Sequence, residues 1–275
     1  MKLFLLTSLT MLAFAANSVL TRFALADHSI GPAAFAMIRV GSGAGMLAVL
    51  VFWKERRIAD LSEVSWLSVL GLSLYMLGFS YAYISLETGI GALILFGGVQ
   101  ITMFAGALIT GERPSRWRWI GAAVAMAGLI YLLQPSARAP DTKGAVLMGV
   151  AAVGWGYYSL YGRKIRKPLQ ATAGNFLLAF PLALLVGLTF GDARSPALTG
   201  VALAIISGAI TSGLGYALWY RVLPKLDATL AAVAQLTVPM IALAGGVLFL
   251  NEALTLQFAI ASALILGGIG LSMIR

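Results

Sequence analysis

The sequence predicts an all-α integral membrane protein with ten transmembrane helices, built as two inverted five-helix repeats. Three observations predict this fold: the composition, ten long apolar segments, and a match between the two halves of the chain. Of the 275 residues, 60% are hydrophobic and 11% are charged, whereas soluble domains carry about 25% charged residues. A soluble fold of this size could not bury so much apolar surface, but in a bilayer the lipid-facing positions are apolar as well.

The apolar segments are long enough to cross a membrane, which takes about 20 residues of helix. The joints between them are short and rich in charged residues, Gly and Pro, so none of them could hold a soluble domain. The predicted spans are Leu3–Ala26, Pro32–Phe52, Val64–Leu86, Thr88–Thr110, Trp117–Leu133, Gly144–Ile165, Ala171–Phe190, Leu198–Leu223, Ala228–Leu250 and Leu256–Ile274.

The distribution of Lys and Arg predicts the orientation, because cytoplasmic joints carry an excess of basic residues. With the N-terminus in the cytoplasm, 14 of the 19 basic residues fall in cytoplasmic joints or termini and 3 in outer joints. We therefore expect a multi-pass protein of a bacterial-type inner membrane with both termini cytoplasmic. The net charge of +9 is explained by this topology, and no nucleic-acid partner is expected.

The two halves of the sequence match when the first is shifted by 140 residues. Glu112 then falls on Glu252 and Gly128 on Gly268, and each glutamate lies in the turn before the last helix of its half. We expect both glutamates to be turn or helix-start residues, stabilised by a helix N-terminus. Since five helices is an odd number, the second copy is inverted. The predicted repeats are residues 1–135 and 136–275, an organisation that recurs in transporters with a central site.

Several motifs resemble a known family. The stretch Gly-Tyr-Ala-Leu-Trp-Tyr-Arg-Val-Leu-Pro at 215–224, followed by Val238-Pro239 and Leu250-Asn-Glu252, resembles the second repeat of EamA-type proteins of the drug/metabolite transporter superfamily. Gly111-Glu112-Arg113-Pro114 resembles the first-repeat counterpart, and the resemblance covers essentially the whole chain. The segments 81–83 and 98–102 are similar to YddG-like exporters, which implies export of aromatic and other amino acids. One departure is Val99, where the family often has proline in helix 4.

Polar and aromatic residues inside the spans are the candidate substrate site, because such groups usually face the interior of a membrane bundle. Asn17 and Thr21 share one helix face, and the 140-residue shift places them on Tyr157 and Tyr161. The alternative for these polar groups is hydrogen bonding between helices. The full set predicted to line a central cavity is Asn17, Thr21, Tyr75, Phe79, Tyr83, Gln100, Trp155, Tyr157, Tyr158, Tyr161, Ser212, Tyr216 and Gln235.

The residue types in this set indicate the kind of substrate. Tyr75, Phe79 and Tyr83 are spaced at i, i+4 and i+8 along one face, and such rings suit an apolar or aromatic side chain. Hydroxyls and amides would hold a polar head group. Gly97, Gly98 and Pro239 are candidate hinges at which predicted helices 4 and 9 could bend.

The charged residues in and near the spans bear on coupling. For Arg39 the sequence leaves two roles open. In the first, its side chain extends towards the membrane surface or bonds a structural partner. In the second, it meets an anionic group of the substrate. Arg22 is expected to be structural. Asp and Glu are absent from the middle of every predicted span, which predicts a facilitator or exchanger without tight proton or sodium coupling.

The leading hypothesis is a secondary transporter that exports small metabolites, amino acids above all, by alternating access. Carriers of drugs, sugar nucleotides or other metabolites are the alternative, and a channel or a structural membrane protein is a more distant one. The chain has no Cys, and His28 is its single His. Because metal sites and catalytic nucleophile–base pairs usually need such residues, we expect neither a membrane-embedded enzyme nor a metal site. We expect no cofactor, and we expect the small-molecule substrate and the lipid bilayer as the partners of a monomer.

Overall fold

The computed structural model describes residues 1–56, 60–62, 64–109, 111, 114–134, 139–162, 165–191, 195–226 and 228–274. Over these residues the chain is helical and forms ten long segments, so the predicted all-α membrane fold is confirmed. The segments are α1 Lys2–Ala26, α2 Pro32–Glu55, α3 Trp66–Ala82, α4 Thr88–Ile109, α5 Arg116–Leu132, α6 Thr142–Gly162, α7 Pro168–Phe190, α8 Leu198–Val222, α9 Ala228–Leu250 and α10 Leu256–Leu271.

The apolar character of these helices is uneven. Among the described residues, α1, α2, α7, α8 and the Thr88–Gly106 part of α4 are long and apolar enough to cross a membrane. Shorter apolar helices are α3, α10 and the Thr237–Leu250 part of α9. Large apolar side chains such as Leu188 and Leu198 remain 76% and 84% exposed. Because water would penalise such a surface, the outside of the bundle is suited to lipid.

Each predicted span overlaps one observed segment, and the ends follow from local chemistry. Proline stands at the first position of α2 and α7, where its missing N–H has no helical partner in any case. The Thr255 side chain accepts a hydrogen bond from the Phe258 N–H at 3.1 Å and caps α10. Arg56 after α2 and Asn251 after α9 adopt a left-handed conformation that stops the helix.

Glycines allow the helices of the two predicted halves to cross closely. A side chain at Gly154 on α6 would collide with the backbone of Gly71 on α3, and one at Gly268 on α10 would collide with Gly121 on α5. In a bilayer, such close backbone packing replaces the hydrophobic effect as the source of helix association. The helix α6 packs along both α3 and α4, so the second half is inserted into the first.

The joints that follow the odd-numbered helices gather at one end of the bundle, so successive helices run in opposite directions. At the other end, the Gln170 side chain at the start of α7 bonds Glu55 and the backbone of Asp60. The contacts at the first end are Ala197 N–H to Ser29 O at 2.8 Å, Ser85 Oγ to Asp141 at 2.9 Å, Gln257 Nε2 to Leu132 O at 3.1 Å, and Thr88 to Glu252.

The helix α8 contains a π-helical stretch that was not predicted. Residues Ile206–Leu214 form hydrogen bonds of the i→i+5 type between two α-helical ends. A side chain at Gly208 within this stretch would overlap the Arg39 carbonyl on α2. The π stretch therefore lies directly against α2, beside the central cavity described below.

Candidate substrate cavity

A small cavity lies where helices of the two predicted halves meet. Its volume is about 10 Å³, roughly the space of one water molecule. The first half contributes α1, α3 and α4, and the second half contributes α6 and α8. The lining side chains are Phe14, Asn17, Tyr75, Phe79, Leu95, Phe96, Trp155 and Tyr216.

Trp155 of α6 is at the centre of an aromatic cluster that crosses the boundary between the halves. Its ring centre lies 4.9 Å from that of Tyr75, 5.0 Å from that of Tyr216 and 5.6 Å from that of Tyr158. Phe14 contacts it edge-on at 6.2 Å. These separations are typical of favourable aromatic pairs. Opening the cavity would therefore expose several ring faces to whatever enters.

The amide of Asn17 is the polar centre of the site. Its Oδ1 accepts hydrogen bonds from the hydroxyls of Ser207 at 2.9 Å, of Ser212 at 3.3 Å, and of Thr211. In an α-helix, side chains five residues apart point about 140° away from each other. The i→i+5 bonding of the π stretch instead turns Ser207 and Ser212 to the same side. The irregular segment thus supplies Asn17 with its donors.

Arg39 of α2 is buried beside the cavity, with an exposed fraction of 0%. Its Nε donates to Ser212 Oγ and its Nη2 donates to the Tyr75 hydroxyl, each at 3.1 Å. Its guanidinium carbon lies 4.7 Å from the centre of the Phe79 ring. The side chain does not reach the bundle surface, so extension to the membrane surface is wrong. The structure instead shows hydroxyl partners for Arg39, in line with the expectation that it bonds a structural partner.

The joints at one end of the bundle are bonded to each other across the two predicted halves. Both oxygens of Glu252 accept a hydrogen bond from the Thr88 N–H, and Arg22 Nε lies 3.5 Å from Glu252 Oε1. Arg22 also donates to the carbonyls of Tyr83 and Ile84, in agreement with its predicted structural role.

Glu87 lies in the joint between α3 and α4, directly before Thr88. Burial, together with the nearby Glu252 carboxylate, raises the pKa of the Glu87 carboxyl above its ordinary value, and Arg22 opposes this effect. The expectation that Glu252 stabilises a helix start is met at α4 of the other half rather than at its own helix. Glu112, of which the same was expected, lies outside the described residues.

The structure brings together only part of the predicted residue set. Asn17, Tyr75, Phe79, Trp155 and Tyr216 line the cavity. Ser212 and Tyr158 contact these residues from behind.

Six predicted residues do not line the cavity. Thr21 and Tyr83 are buried elsewhere, and Tyr83 packs on Phe79 and donates to the Thr88 carbonyl at 3.2 Å. Tyr157 is 37% exposed on the outside of α6. Gln100, Tyr161 and Gln235 are half-buried and are not among the lining residues.

The candidate hinges lie within unbroken helices. In α4, Gly97 allows close contact with Ile265 of α10, and Gly98 allows close contact with Ala152 of α6. Pro239 is buried inside α9, which continues on both sides of it. In this conformation the two glycines serve helix packing, and hinge motion at these three positions remains a proposal.

Several cavity residues were missed by the sequence analysis. Phe14 lies three residues before Asn17 on the same helix face, so its position alone could have indicated it. Leu95 and Phe96 belong to a helix that is apolar on all sides, where no pattern separates a cavity wall from packing. Ser207 and Thr211 are spaced at i and i+4 on α8, so their shared helix face could have indicated them as well. Among the described residues, no group of three or more His, Cys, Asp or Glu could hold a metal ion.

Comparison with known proteins places this geometry in a family. The EamA-like transporter family matches residues 1–134 and 142–274. An uncharacterized protein of Pseudomonas aeruginosa is 46% identical over 97% of this chain and 93% of its own length. A threonine/homoserine exporter of Salmonella typhimurium is 28% identical over 82% of this chain and 77% of its own. A probable terminal-alkyne amino-acid exporter of Streptantibioticus cattleyicolor is 24% identical, covering 84% and 77%. With nearly the whole chain matched, the protein belongs to the EamA-like transporter family.

Proposed function

We propose that this transporter is a secondary carrier that exports amino acids, including aromatic ones, by alternating access around the central cavity. The observation that carries the proposal is the cavity itself, which lies between helices of both halves and combines an aromatic wall with one polar corner. Rings of Tyr75, Trp155 and Tyr216 suit an apolar or aromatic side chain. Asn17 and the neighbouring hydroxyls suit a polar head group.

The two named amino-acid exporters support the choice of substrate class. Their identity to this chain is low, so the choice of amino acid rests on the cavity. Aromatic rings dominate its lining, and we therefore expect large apolar and aromatic amino acids to be preferred over small polar ones. A carrier of drugs, sugar nucleotides or other metabolites is the alternative within the same family.

Alternating access is supported by the arrangement of the halves. The two family matches of similar length support inverted repeats at 1–135 and 136–275. The cavity has room for about one water molecule, and Glu252 of the second half is hydrogen-bonded to Thr88 of the first. The helices must therefore separate before an amino acid can enter, and loading is coupled to movement of the halves.

The proposed setting is a bacterial-type inner membrane, with both termini in the cytoplasm and the chain acting as a monomer. The basic joints support this orientation. Because all ten Asp and Glu lie in predicted joints, we propose facilitated transport or exchange rather than coupling through a buried carboxylate.

The experiment that tests the proposed function is uptake of labelled amino acids into proteoliposomes, with and without a pH gradient. Saturable uptake of large apolar or aromatic amino acids, unchanged by the gradient and absent from protein-free liposomes, is the expected result. Uptake that does not saturate would indicate a channel. No uptake of any amino acid would refute the substrate class and favour another amphipathic metabolite.

A further inference from the structure

Among the residues that the structure describes, the buried cation Arg39 has no acidic partner. The ion pairs seen among the described residues, Arg22–Glu252 and Lys167–Asp60, do not involve it. Its isolation follows from the sequence, because all ten Asp and Glu lie in joints between the predicted spans. An unpaired charge inside a membrane protein is unfavourable, and such residues are usually retained for function.

The hydrogen-bond donors of Arg39 are only partly used. A guanidinium offers five N–H donors. Here Nε is bonded to the Ser212 hydroxyl and Nη2 to the Tyr75 hydroxyl, while Nη1 is buried without a partner. The rings of Phe79 and Tyr75, at 4.7 and 5.5 Å, add cation–π attraction. All of these partners are neutral, so the positive charge is stabilised without being balanced.

The neighbours of Arg39 connect it to the cavity. Tyr75 and Phe79, which contact the guanidinium, are themselves cavity walls. Ser212, which accepts from Arg39, also donates to Asn17 Oδ1, a third wall. The ring of Trp155, a fourth wall, lies 4.9 Å from that of Tyr75. A molecule that enters between the halves thus contacts residues that themselves contact the cation.

We propose that Arg39 binds the carboxylate of the transported molecule. This inference rests on the proposed function and deepens it, since it defines the substrate as a small molecule with a carboxylate at one end and an apolar side chain at the other. Guanidinium and carboxylate form two parallel hydrogen bonds, a geometry that lysine cannot reproduce. In this structure the Tyr75 and Ser212 hydroxyls occupy two of the donors that a bound carboxylate would take.

The test measures binding to the purified protein through its intrinsic tryptophan fluorescence, since Trp155 lines the cavity. Three probes share a phenyl side chain: phenylalanine, phenylalaninamide, which lacks the carboxylate, and 3-phenylpropionate, which lacks the ammonium group. We expect the wild type to bind the two carboxylates about tenfold more tightly than the amide. Arg39→Gln should weaken both carboxylates by about tenfold and the amide by less than about twofold, as expected for loss of a charged bidentate pair.

Two further variants separate binding from structure. Arg39→Lys keeps the charge without the planar fork, so its carboxylate affinity should lie between those of the wild type and Arg39→Gln. If Arg39→Gln does not elute as a folded protein, Arg39→Lys replaces it in the comparison of carboxylate and amide affinity. Arg22→Gln, which removes the basic residue paired with Glu252, should leave the ratio of carboxylate to amide affinity unchanged.

The outcomes distinguish this inference from the proposed function. Equal weakening of all three probes in Arg39→Gln, or no weakening, would overturn the carboxylate site even if amino acids are transported. If the wild type binds none of the probes, the panel is extended to benzoate and succinate. Loss of such binding in Arg39→Gln would support the anion site while the proposed amino-acid function fails, and no carboxylate binding at all would overturn both.

Discussion

Glu252 caps the first turn of α4 across the boundary between the two halves. Its Oε1 and Oε2 accept from the Thr88 N–H at 2.9 and 2.8 Å, and Oε1 accepts from the Thr88 hydroxyl at 3.0 Å. A carboxylate in this position satisfies an unpaired helix N–H and interacts favourably with the helix dipole. The contact joins residues 164 positions apart in sequence and ties the two predicted halves together at this end of the bundle.

Replacing Glu252 with Gln should lower the thermal stability of the purified protein, because one carboxylate serves both the Thr88 N–H and Arg22. The expected loss is about 1–2 kcal/mol, the usual range for a helix cap or a hydrogen bond to a charged group. The measurement is the midpoint of thermal unfolding in detergent. Asp60→Asn is the control, since Asp60 pairs with the exposed Lys167 at the opposite end, where ion pairs contribute little. Equal midpoints for the wild type and Glu252→Gln would contradict the capping role.

Asn17→Ala should reduce transport by at least about tenfold without loss of folded, membrane-inserted protein. The substitution removes a cavity wall and leaves the hydroxyls of Ser207 and Ser212 without their acceptor, which is unfavourable for buried groups. Initial uptake rates in proteoliposomes measure the effect. Ser262→Ala is the matched control, because the Ser262 hydroxyl is also buried in a helix but has no partner and lies outside the cavity. Similar uptake by Asn17→Ala and the control would refute the placement of the polar corner.

Gly208→Ala should destabilise the protein by about 1–3 kcal/mol, the cost of inserting a methyl group into a packed interior. The added carbon would overlap the Arg39 carbonyl and the Ser42 hydroxyl, and α8 would have to move away from α2. Gly149→Ala on α6 is the control, since its methyl group would meet no atom within 4 Å. There the higher helix propensity of alanine should raise stability by up to about 1 kcal/mol. The same change in unfolding midpoint for both variants would mean that α2 and α8 do not pack this closely.

The carboxyl of Glu87 should make stability depend on pH. Its pKa in the folded protein is raised above the ordinary 4.5 by burial and by Glu252. The folded state therefore holds the proton more tightly than the unfolded state, and stability falls as the pH rises through this raised pKa. Glu87→Gln, which has no charge, should exceed the wild type in unfolding midpoint at pH 7 and approach it near pH 4.5. A constant difference between the two proteins across this range would contradict the prediction.

Asp141 provides a comparison of opposite sign. The Gly144 N–H, at 2.7 Å, and the Ser85 hydroxyl donate to its carboxylate and lower its pKa below the ordinary 3.8. Its charge therefore stabilises the folded state above pH 3.8, and this contribution is lost as the pH falls through the lowered value. Asp141→Asn should be less stable than the wild type at pH 7, with the difference shrinking below pH 3.8. A difference that persists there would show that the charge is not responsible.

Hydrophobicity alone was enough to predict the ten helices, because a span needs a long apolar run and its ends carry Pro, Gly or charged residues. The aromatic wall was predicted in part, since Tyr75 and Phe79 are spaced to share a helix face. The match between the halves selected Tyr157, which the structure places on the exposed side of α6. Sequence matching between the halves relates positions in two helices, but it does not fix how far each helix is rotated about its axis.

The polar corner of the cavity depends on features with no sequence signal. Ser207 and Ser212, five residues apart, both reach Asn17 because α8 is locally π-helical, and helix propensities do not distinguish π from α winding. The environment of Arg39 was left open as well, because whether a cation in a span reaches the surface depends on tertiary contacts. Its partners Ser212 and Tyr75 lie 173 and 36 residues away. Long-range packing, rather than local pattern, determined this part of the site.

Binding of amino acids between the halves can be measured by substrate protection of a single cysteine. The natural chain contains no cysteine, so Leu95→Cys places one thiol in the cavity wall and Tyr157→Cys places one on the exposed face of α6. Reaction with a membrane-permeant maleimide is followed with and without phenylalanine. We expect phenylalanine to slow labelling of Leu95→Cys severalfold and to leave labelling of Tyr157→Cys unchanged. Equal labelling of Leu95→Cys in both conditions, at phenylalanine concentrations that saturate uptake, would contradict this expectation.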